Sequence, residues 1–547
     1  MMRAIVVASV FGSLVGCAAS GSDDAPPVLE VTSPARGTTS QGDQVTVTGR
    51  VTDDKSGVKV RVQGTDVTPS ADGSFSATIT AQPGLEIIET HAIDSAGNDV
   101  RDVRAVLSGN LEASDGSVAS PVGARVSPAA LTAVGTALGT TAEGIDFTAA
   151  ALAMNPVYNN TGCLGARIDV TSISLANIGI GLTPGAGVLN TAVAIDNVEV
   201  KLRANFKVAC IGGSTNITVR STKAKINGGL GLAVSAGKLS ASLPTSSVVL
   251  EGFTIDVGGV PGAIESLLKG EARKAVENAL TKVIKDKVPP MANTALSGLL
   301  AKPFNADLLG NPTTLTVAPK TLDISADGIF VAVDTKVLVT GGEGGMYLSN
   351  PVPMSAALMQ ASSGISVAIA DDTVNQLFAG LWGAGAFEQT LSIDSVGVLA
   401  SLLDDDAATL GIELMLPPTV STMGGALELG VGDLIVTVKD AGGVEIQKLA
   451  LSLSTTLAAG PTQTGAITMT VGAPTVFAQV LAQSDAVDRP LTSAQVEGII
   501  TGVWGVVGGQ ADAALAKLPM PAVAGIELGA PAVEGRDGFV FADISVQ

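Results

Sequence analysis

The phrase ISADGIFVAVDTKV (residues 324–337) returns at the C terminus as EGRDGFVFADISVQ (residues 534–547). Asp327-Gly328 and Asp537-Gly538 hold the same place, and an apolar, strand-forming run follows each: Ile329 to Val333 in one, Phe539 to Ala542 in the other. An Ala-Pro pair lies a few residues upstream of both, Ala318-Pro319 and Ala530-Pro531. The stretches leading to the two copies also match. Ser127-Pro128 reads as an N-cap and first helical residue, and Leu131, Val134 and Leu138 follow at i, i+3 and i+7, a helical stripe. A β region is expected from about Cys163 to Val257. A helix opened by Pro261 then carries Leu267, Leu268, Ala272, Val276, Ala279 and Val283 on one face, and Pro289-Pro290 is expected to interrupt it. Strands resume at Thr313.

The second pass begins at Asp371-Asp372, read as the cap of a helix bearing Val374, Leu377, Phe378 and Leu381 at i, i+3, i+4 and i+7. A β region follows from Gln389 to about Val480. From Thr492 or Ser493 a further helix carries Val496, Ile499, Ile500, Val503 and Val507, and Pro519 and Pro521 end it. Helix, sheet, helix, strands is thus stated twice. A period of roughly 200 residues signals a duplicated domain, because solenoid repeats run about 20–50.

The 547 residues leave room for roughly three or four domains. The chain is 46% hydrophobic and only 15% charged, with mean hydropathy +0.44, yet aromatics make up just 3%. Ala, Val, Leu and Ile supply the apolar mass, which suits many strands and a few Ala-rich helices. It exceeds what one core needs, so some of it is expected to line a cavity. The formal charge of −20 argues against a nucleic-acid partner, because phosphate binding needs a basic face.

At the N terminus, Arg3 forms a short basic region and Ala4 to Val15 an apolar one, too short for a membrane span of about 20 residues. Leu14-Val15-Gly16-Cys17 resembles a bacterial lipobox, so residues 1–17 are expected to be a lipoprotein signal with Cys17 as the lipid attachment site. Ala18 in place of Asp favours the outer membrane of the cell envelope. Residues 18–27 read as a tether. The remaining cysteines, Cys163 and Cys210, sit beside strand-like runs. In an exported chain they suggest a disulfide, with two separate buried thiols as the alternative.

Residues 28–107 show short alternating runs ("QVTVTGRV", "VKVRVQG", "GSFSATIT", "IIETHAI") between Asp, Gly and Pro turns, the pattern of a small β-sandwich. Their phrasing resembles bacterial Ig-like modules. Asp53, Asp54, Asp94 and Asn98 are oxygen ligands of the kind calcium takes, though such residues more often simply make turns. Residues 108–122, rich in Ser, Gly and Ala, read as a linker.

Catalytic patterns are missing. The one histidine, His91, lies in the β-sandwich, which excludes a Ser-His-Asp triad or a HExxH zinc site in the large domain. No GxSxG, Walker or dinucleotide loop occurs. Asp404-Asp405-Asp406 reads as a solvated turn, with cation binding as the lesser alternative. The uncharged stretch from Leu449 to Ser484 is long enough to cross a bilayer, but "LALSLSTTL" alternates as a strand does. No catalytic residue, metal or cofactor is expected.

Three segments carry a larger resemblance: "ARVSPAALTAVGTAL", "SVAIADDTVNQLFAGLWGAGAFEQTL" and "ADAALAKLPMPAVAGIELGAPAVEGRDGFVFADISV". In that order they resemble the opening helix, the start of the second half and the ending of the bactericidal/permeability-increasing protein family, of the tubular lipid-binding superfamily. The resemblance spans residues 123–547. It implies an α+β fold: an elongated, boomerang-like tandem of helix-wrapped curved antiparallel sheets, with an N-terminal half at 123–348 and a C-terminal half at 349–547. The all-β Ig-like sandwich precedes it. It also implies binding of a phospholipid or other acyl lipid between helix and sheet. Candidate lining residues are Leu131, Val134, Leu138, Leu268, Val276, Val374, Phe378, Leu381, Val503 and Trp504. The family's disulfide ties a strand to the N-half helix; here both cysteines precede that helix, so the same bridge does not transfer. The basic tip of the animal lipopolysaccharide binders is absent too. Lys269, Arg273, Lys274 and Lys282 are diluted by Glu265, Glu271, Glu277 and Asp286, the pattern of a solvated helix face. The rival expectation is a structural or adhesive surface lipoprotein, its Ig-like module binding a partner and its large domain a filled scaffold.

Overall fold

Alternation of apolar and polar residues builds most of this chain. Along Leu164–Ser174, Ala166, Ile168 and Val170 are buried while Arg167 and Thr171 face out, because successive strand side chains point to opposite faces. The computed structural model describes residues 25–160, 162–260, 262–300, 304–349, 352–359, 363–395, 403–421, 427–461, 467–485, 487–502, 504 and 528–546. Cys17, most of the tether, Val503, Val507 and the prolines at 519 and 521 lie outside the described residues.

The chain forms two compact units. The smaller contains residues up to 35, 44–80 and 88–104. In it, Val28–Ser33, Gln44–Thr52 and Ser74–Thr80 form one antiparallel sheet. Lys59–Val62 pairs with Thr65–Val67 and with residues 90–93. Val47, Val60, Phe75 and Ala92 are buried between them, giving the Ig-like all-β character expected. Asp94 is a turn residue: one carboxylate oxygen accepts the N–H groups of Ala96, Gly97 and Asn98 at 2.8, 2.7 and 2.8 Å, and the other accepts the Asn98 side chain at 2.7 Å. Among the described residues no cluster of three metal-ligating side chains occurs.

The larger unit holds residues 36–43, 81–87 and 105 onward. Here the duplication is explicit. In the N-terminal half the strands run in the order Tyr158–Asn159, Leu164–Ser174, Leu189–Val208, Ile211–Ser235, Lys238–Glu251; Ile178–Pro184 adds to the third and Thr254–Val257 to the fourth. In the C-terminal half the order is Gln389–Ser392, Ala407–Leu414, Leu427–Asp440, Glu445–Pro461, Ile467–Val471; Thr419–Ser421 adds to the third and Thr475–Gln483 to the fourth. The two sheets correspond strand for strand. Bulges at Val170/Ser172 and Gly229/Gly231, and at Ala407/Thr409 and Val431/Leu434, bend the strands.

A third sheet joins the halves, in the order Phe304–Leu308, Asn311–Ser325, Gly328–Val339, Val118–Val126, Ile365–Ala370, Phe539–Val546, Leu528–Arg536. Its centre is the antiparallel pair of the two opening strands, Val118–Val126 and Ile365–Ala370. Each repeated Asp-Gly phrase is the turn of a closing hairpin on one side of that pair. The Ala-Pro pairs mark irregularities too: the register shifts between Pro319 and Thr321, and between Leu528 and Pro531. Proline has no N–H for the ladder. On one face of this sheet Phe330, Ala368, Phe539 and Phe541 pack with Met354 and Met359 of the connecting segment.

Five helices are described: α1 (Pro128–Ala142), α2 (Phe147–Leu152), α3 (Gly262–Leu300), α4 (Asp371–Gly383) and α5 (residues 493–502). Three expectations are corrected. The stretch 108–122 is not a linker: Leu111–Ala113 pairs with Met346–Leu348, and the opening strand begins at Val118. Small, uncharged residues are as good at an edge or bulge as in a tether. Pro289-Pro290 does not end α3, which continues through both. Proline fixes a helix-compatible φ and removes only its own N–H; the residues whose carbonyls lose partners, Lys285 and Asp286, are exposed, where water replaces the donors. Asp371 and Asp372 do not cap α4. Ala370 is the N-cap, and both aspartates lie buried in the first turn, where the helix dipole favours negative charge.

Candidate functional site

The long helix α3 makes an extended apolar contact with the N-terminal sheet. Leu268, Ala272, Val276 and Leu280, at i, i+4, i+8 and i+12, are all buried against Val170, Val200, Leu202, Ile217 and Val219 of the N-terminal sheet. The opposite side of α3 is charged and self-paired: Lys269–Glu265 at 2.8 Å, Arg273–Glu277 at 3.0 Å and Lys274–Glu271 at 3.2 Å. Those pairs contribute a few tenths of a kcal/mol each, so α3 is held by its apolar side. A cavity of ≈ 10 Å³ remains there, lined by Val170, Ile173, Val200 and Leu202 from the sheet and Val276, Ala279 and Leu280 from α3. Every lining side chain is aliphatic. The cavity has barely room for one water molecule, so helix and sheet are nearly in contact.

The candidate lining residues do not converge on one site. Leu268 and Val276 belong to this α3 cluster. Leu131 and Val134 of α1 pack in a second cluster with Leu182, Leu189 and Leu230. Leu381 of α4 lies in a third with Val337 and Val339, and Leu377 and Phe378 are half-buried against it. Val374 is half-buried. Leu138 is a correction: its side chain is 40% exposed. The buried stripe of α1 is Leu131, Gly135, Gly139 and Ala142 instead. A Cβ on Gly135 or Gly139 would stand 2.5 Å from the carbonyl oxygen of Ile180 or Ile178, so the helix backbone approaches that strand closely. Apolar side chains alone were a poor guide to a face made of glycine.

In the C-terminal half, α5 starts with a capping box. Thr492 Oγ1 accepts the N–H of Gln495 at 3.3 Å, and Gln495 Oε1 accepts the N–H of Thr492 at 2.8 Å. Val496, with Ile500, packs on Val436, Leu449 and Leu451. Glu497 Oε1 accepts the N–H of Ala478 at 2.9 Å, and the Trp504 indole donates to the carbonyl of Gly472 at 2.7 Å. Trp504 is half-buried, its ring nitrogen tied to the sheet. The acidic run is a turn: Asp404 accepts the N–H groups of Asp406, Asp488 and Arg489 at 3.1, 2.7 and 3.1 Å. Those backbone bonds hold its carboxyl below the usual range despite the opposing effect of burial.

The deeply buried side of α4 is polar, which the periodicity did not suggest. Gln376 accepts the N–H of Val337 at 2.9 Å and donates to the carbonyls of Ser114 and Gly116 at 3.0 and 2.8 Å. Asn375 accepts the N–H of Val420 at 2.7 Å and donates to its carbonyl at 2.9 Å. Together the amides satisfy the strand backbone at Val337 and Val420 and the turn carbonyls of Ser114 and Gly116. Nearby, burial and then the Glu112 and Asp372 carboxylates raise the Tyr347 phenol above its ordinary value, keeping it neutral. Among the lining residues missed, Val170, Val200 and Leu202 had a signal available: the alternation of "ARIDV" and "VEVKLRANF". Cys163 and Cys210 are joined in a disulfide. No described helix is long and apolar enough to cross a membrane, and the stretch from Leu449 to Ser484 forms strands where described.

Residues 27–109 match the family model of glucodextranase, domain B. No curated protein matches the chain. Among solved structures, the chain is similar to a lipopolysaccharide binding protein at 13% identity and TM-score 0.45, over 79% of this chain and 99% of that one. P47 of Clostridium botulinum E1 aligns at 8% identity and TM-score 0.27, over 79% of this chain and 100% of that one. Latherin aligns at 17% identity and TM-score 0.21, over 32% of this chain and 89% of that one.

Proposed function

We infer that this is a lipid-anchored, extracytoplasmic protein that holds or transfers lipid, without catalysis. Acyl chains lie between α3 and the sheet in the N-terminal half, and beneath α5 in the C-terminal half. The observation that carries the reading is the α3 contact: between Leu268 and Leu280 the helix is charged outside and buries aliphatic side chains inside, around a cavity walled by Val170, Val200, Leu202, Val276 and Leu280. Each methylene moved from water into such a contact gains about 0.8 kcal/mol. Parting helix from sheet strands no polar group there, so a chain can replace the contacts it breaks. An elongated, boomerang-like pair of halves fits the strand-for-strand duplication. The lipid anchor rests on the lipobox-like Leu14-Val15-Gly16-Cys17, and placement at the outer membrane on Ala18 in place of Asp after it. The test is native mass spectrometry with lipid extraction on the full chain carrying Cys17→Ala. Co-purifying phospholipid is expected, and none after exposure to vesicles overturns the reading.

The small size of the cavity favours a second reading, a filled scaffold whose Ig-like module binds a partner. The same measurement separates the two, since a scaffold carries no lipid.

A further inference from the structure

We propose that the part of α3 beyond Pro289-Pro290 is the gate of the N-terminal groove, and that Asn293 is its latch. This deepens the lipid-binding reading and rests on it. Among the described residues, Lys238–Glu251 is an edge strand of the N-terminal sheet, paired on one side only, with Ile211–Ser235. Its open side is closed by a side chain. Asn293 Oδ1 accepts the N–H of Ala241 at 2.5 Å, and Asn293 Nδ2 donates to the carbonyl of the same residue at 3.4 Å. The amide takes the place a neighbouring strand would fill. Ala241 itself is buried beside Leu189 and Leu230, so this contact seals the seam between helix and sheet.

Three features make the seam openable there rather than elsewhere. Between the buried anchor residues Leu268 to Leu280 and the latch stand the two prolines. They leave the carbonyls of Lys285 and Asp286 without helical donors, which marks a hinge. The cavity at Val276, Ala279 and Leu280 lies on the anchored side of that hinge, so a chain passing the latch would reach the aliphatic contact about 20 Å further along the helix, at roughly 1.5 Å per residue. The latch is polar and small; releasing it costs hydrogen bonds that water can replace, whereas moving the anchored part would expose four buried aliphatic side chains.

The experiment uses the full chain with Cys17→Ala and two further changes made separately: Asn293→Ala, and Pro289→Ala with Pro290→Ala. Amide hydrogen exchange reads the hinge without any lipid. In Asn293→Ala, exchange at Ala241 and over residues 291–300 is expected to rise at least tenfold, with residues 265–280 unchanged. No rise, or an equal rise along the whole helix, overturns the gate. Uptake of a self-quenched pyrene phospholipid from phosphatidylethanolamine/phosphatidylglycerol vesicles reads the passage. It is expected to be several-fold faster in Asn293→Ala and several-fold slower in the double proline variant, which restores the helix bonds. Wild-type uptake that neither change alters overturns the gate and leaves the lipid reading standing. Absence of uptake by the wild type overturns the lipid reading, and the gate with it, whatever the exchange shows.

Discussion

The backbone N–H of Asp371 donates to the carbonyl of Gly538 at 3.0 Å. It ties the start of α4 to the second Asp-Gly turn. The first turn is placed likewise: Gly328 abuts Val126, the end of the opening strand, and Ser127, the N-cap of α1. The repeated phrase therefore survives in both halves as a seat for the helix that opens each. Gly328 has φ +128°, and a Cβ there would lie 2.1 Å from the Val126 carbonyl oxygen. Gly328→Ala is expected to cost roughly 3 kcal/mol or more. Gly341→Ala, at φ +83° with nothing within 4 Å of its Cβ, is expected to cost about 1 kcal/mol. Urea denaturation of the two variants checks the difference, and equal losses would remove the seat as the explanation.

Leu268 is fully buried in the α3 contact and Leu138 is 40% exposed on α1. Leu268→Ala should therefore destabilise by about 2–5 kcal/mol, and Leu138→Ala should stay within about 0.5 kcal/mol of wild type. Denaturation midpoints decide it. A large effect at Leu138 would mean that its face of α1 is covered.

Arg36 and Asp433 form a buried ion pair at 2.6 Å, with Asp433 wholly inaccessible. Arg36 also donates to Gln479 at 2.8 Å, and Asp433 accepts the N–H groups of Gly37 and Ala105. Burial nonetheless raises the Asp433 carboxyl above its ordinary value, Arg36 opposing the shift. Arg36→Met should cost about 3–5 kcal/mol at neutral pH, because it strands the carboxylate. Adding Asp433→Asn should recover most of that, as Asn tolerates the φ of +45° found there. The sign with pH follows from a raised folded-state value. The folded state holds the proton longer than the unfolded one, so stability is greatest below the ordinary carboxylate range, about pH 4, and falls as pH rises through the folded value. Removing Arg36 raises that value further. The loss from Arg36→Met should thus be smaller at pH 4 than at pH 7, and a pH-independent loss would contradict a charge effect.

Asp404 is the opposite case. Its carboxyl is held low by three backbone N–H groups, so its contribution is present above the ordinary carboxylate range and disappears as pH falls through the lowered value. Asp404→Asn should be less stable than wild type at pH 7, and the gap should close in acid. A gap that persists well below pH 3 would assign the effect to shape and not to charge.

The duplication was legible because a two-residue turn and its apolar run are local and were copied together. The sheets were legible because alternation follows from the strand geometry itself. Three things were not. The face of α1 is set by Gly135 and Gly139, whose value lies in letting Ile178 and Ile180 come close, and hydrophobic periodicity gives glycine no weight. The buried side of α4 carries Asn375 and Gln376, whose partners are Val420 of a distant strand and Ser114 and Gly116 of a distant turn. Pro289-Pro290 looks like a stop because a proline pair removes two helix bonds, and only the exposure of the freed carbonyls lets α3 run on. Of the candidate pocket, the α3 residues were readable from their spacing. The sheet residues opposite were visible as strands but not as that helix's partners, since register across distant strands is a tertiary matter.

The groove itself is tested by charge. Val276 is buried on α3 and lines the cavity with Val200 and Leu202. Val276→Asp puts a carboxylate among aliphatic side chains, where desolvation costs several kcal/mol. The group must take up a proton or push helix from sheet, and either way the groove no longer offers a continuous aliphatic wall. The N-terminal cluster and the α5 cluster share no residues, so the C-terminal half should keep its own lipid. Native mass spectrometry of the full chain with Cys17→Ala is expected to show lipid stoichiometry falling by the N-terminal share alone, with circular dichroism unchanged. Full stoichiometry in a folded Val276→Asp chain would place the acyl chain somewhere other than beneath α3.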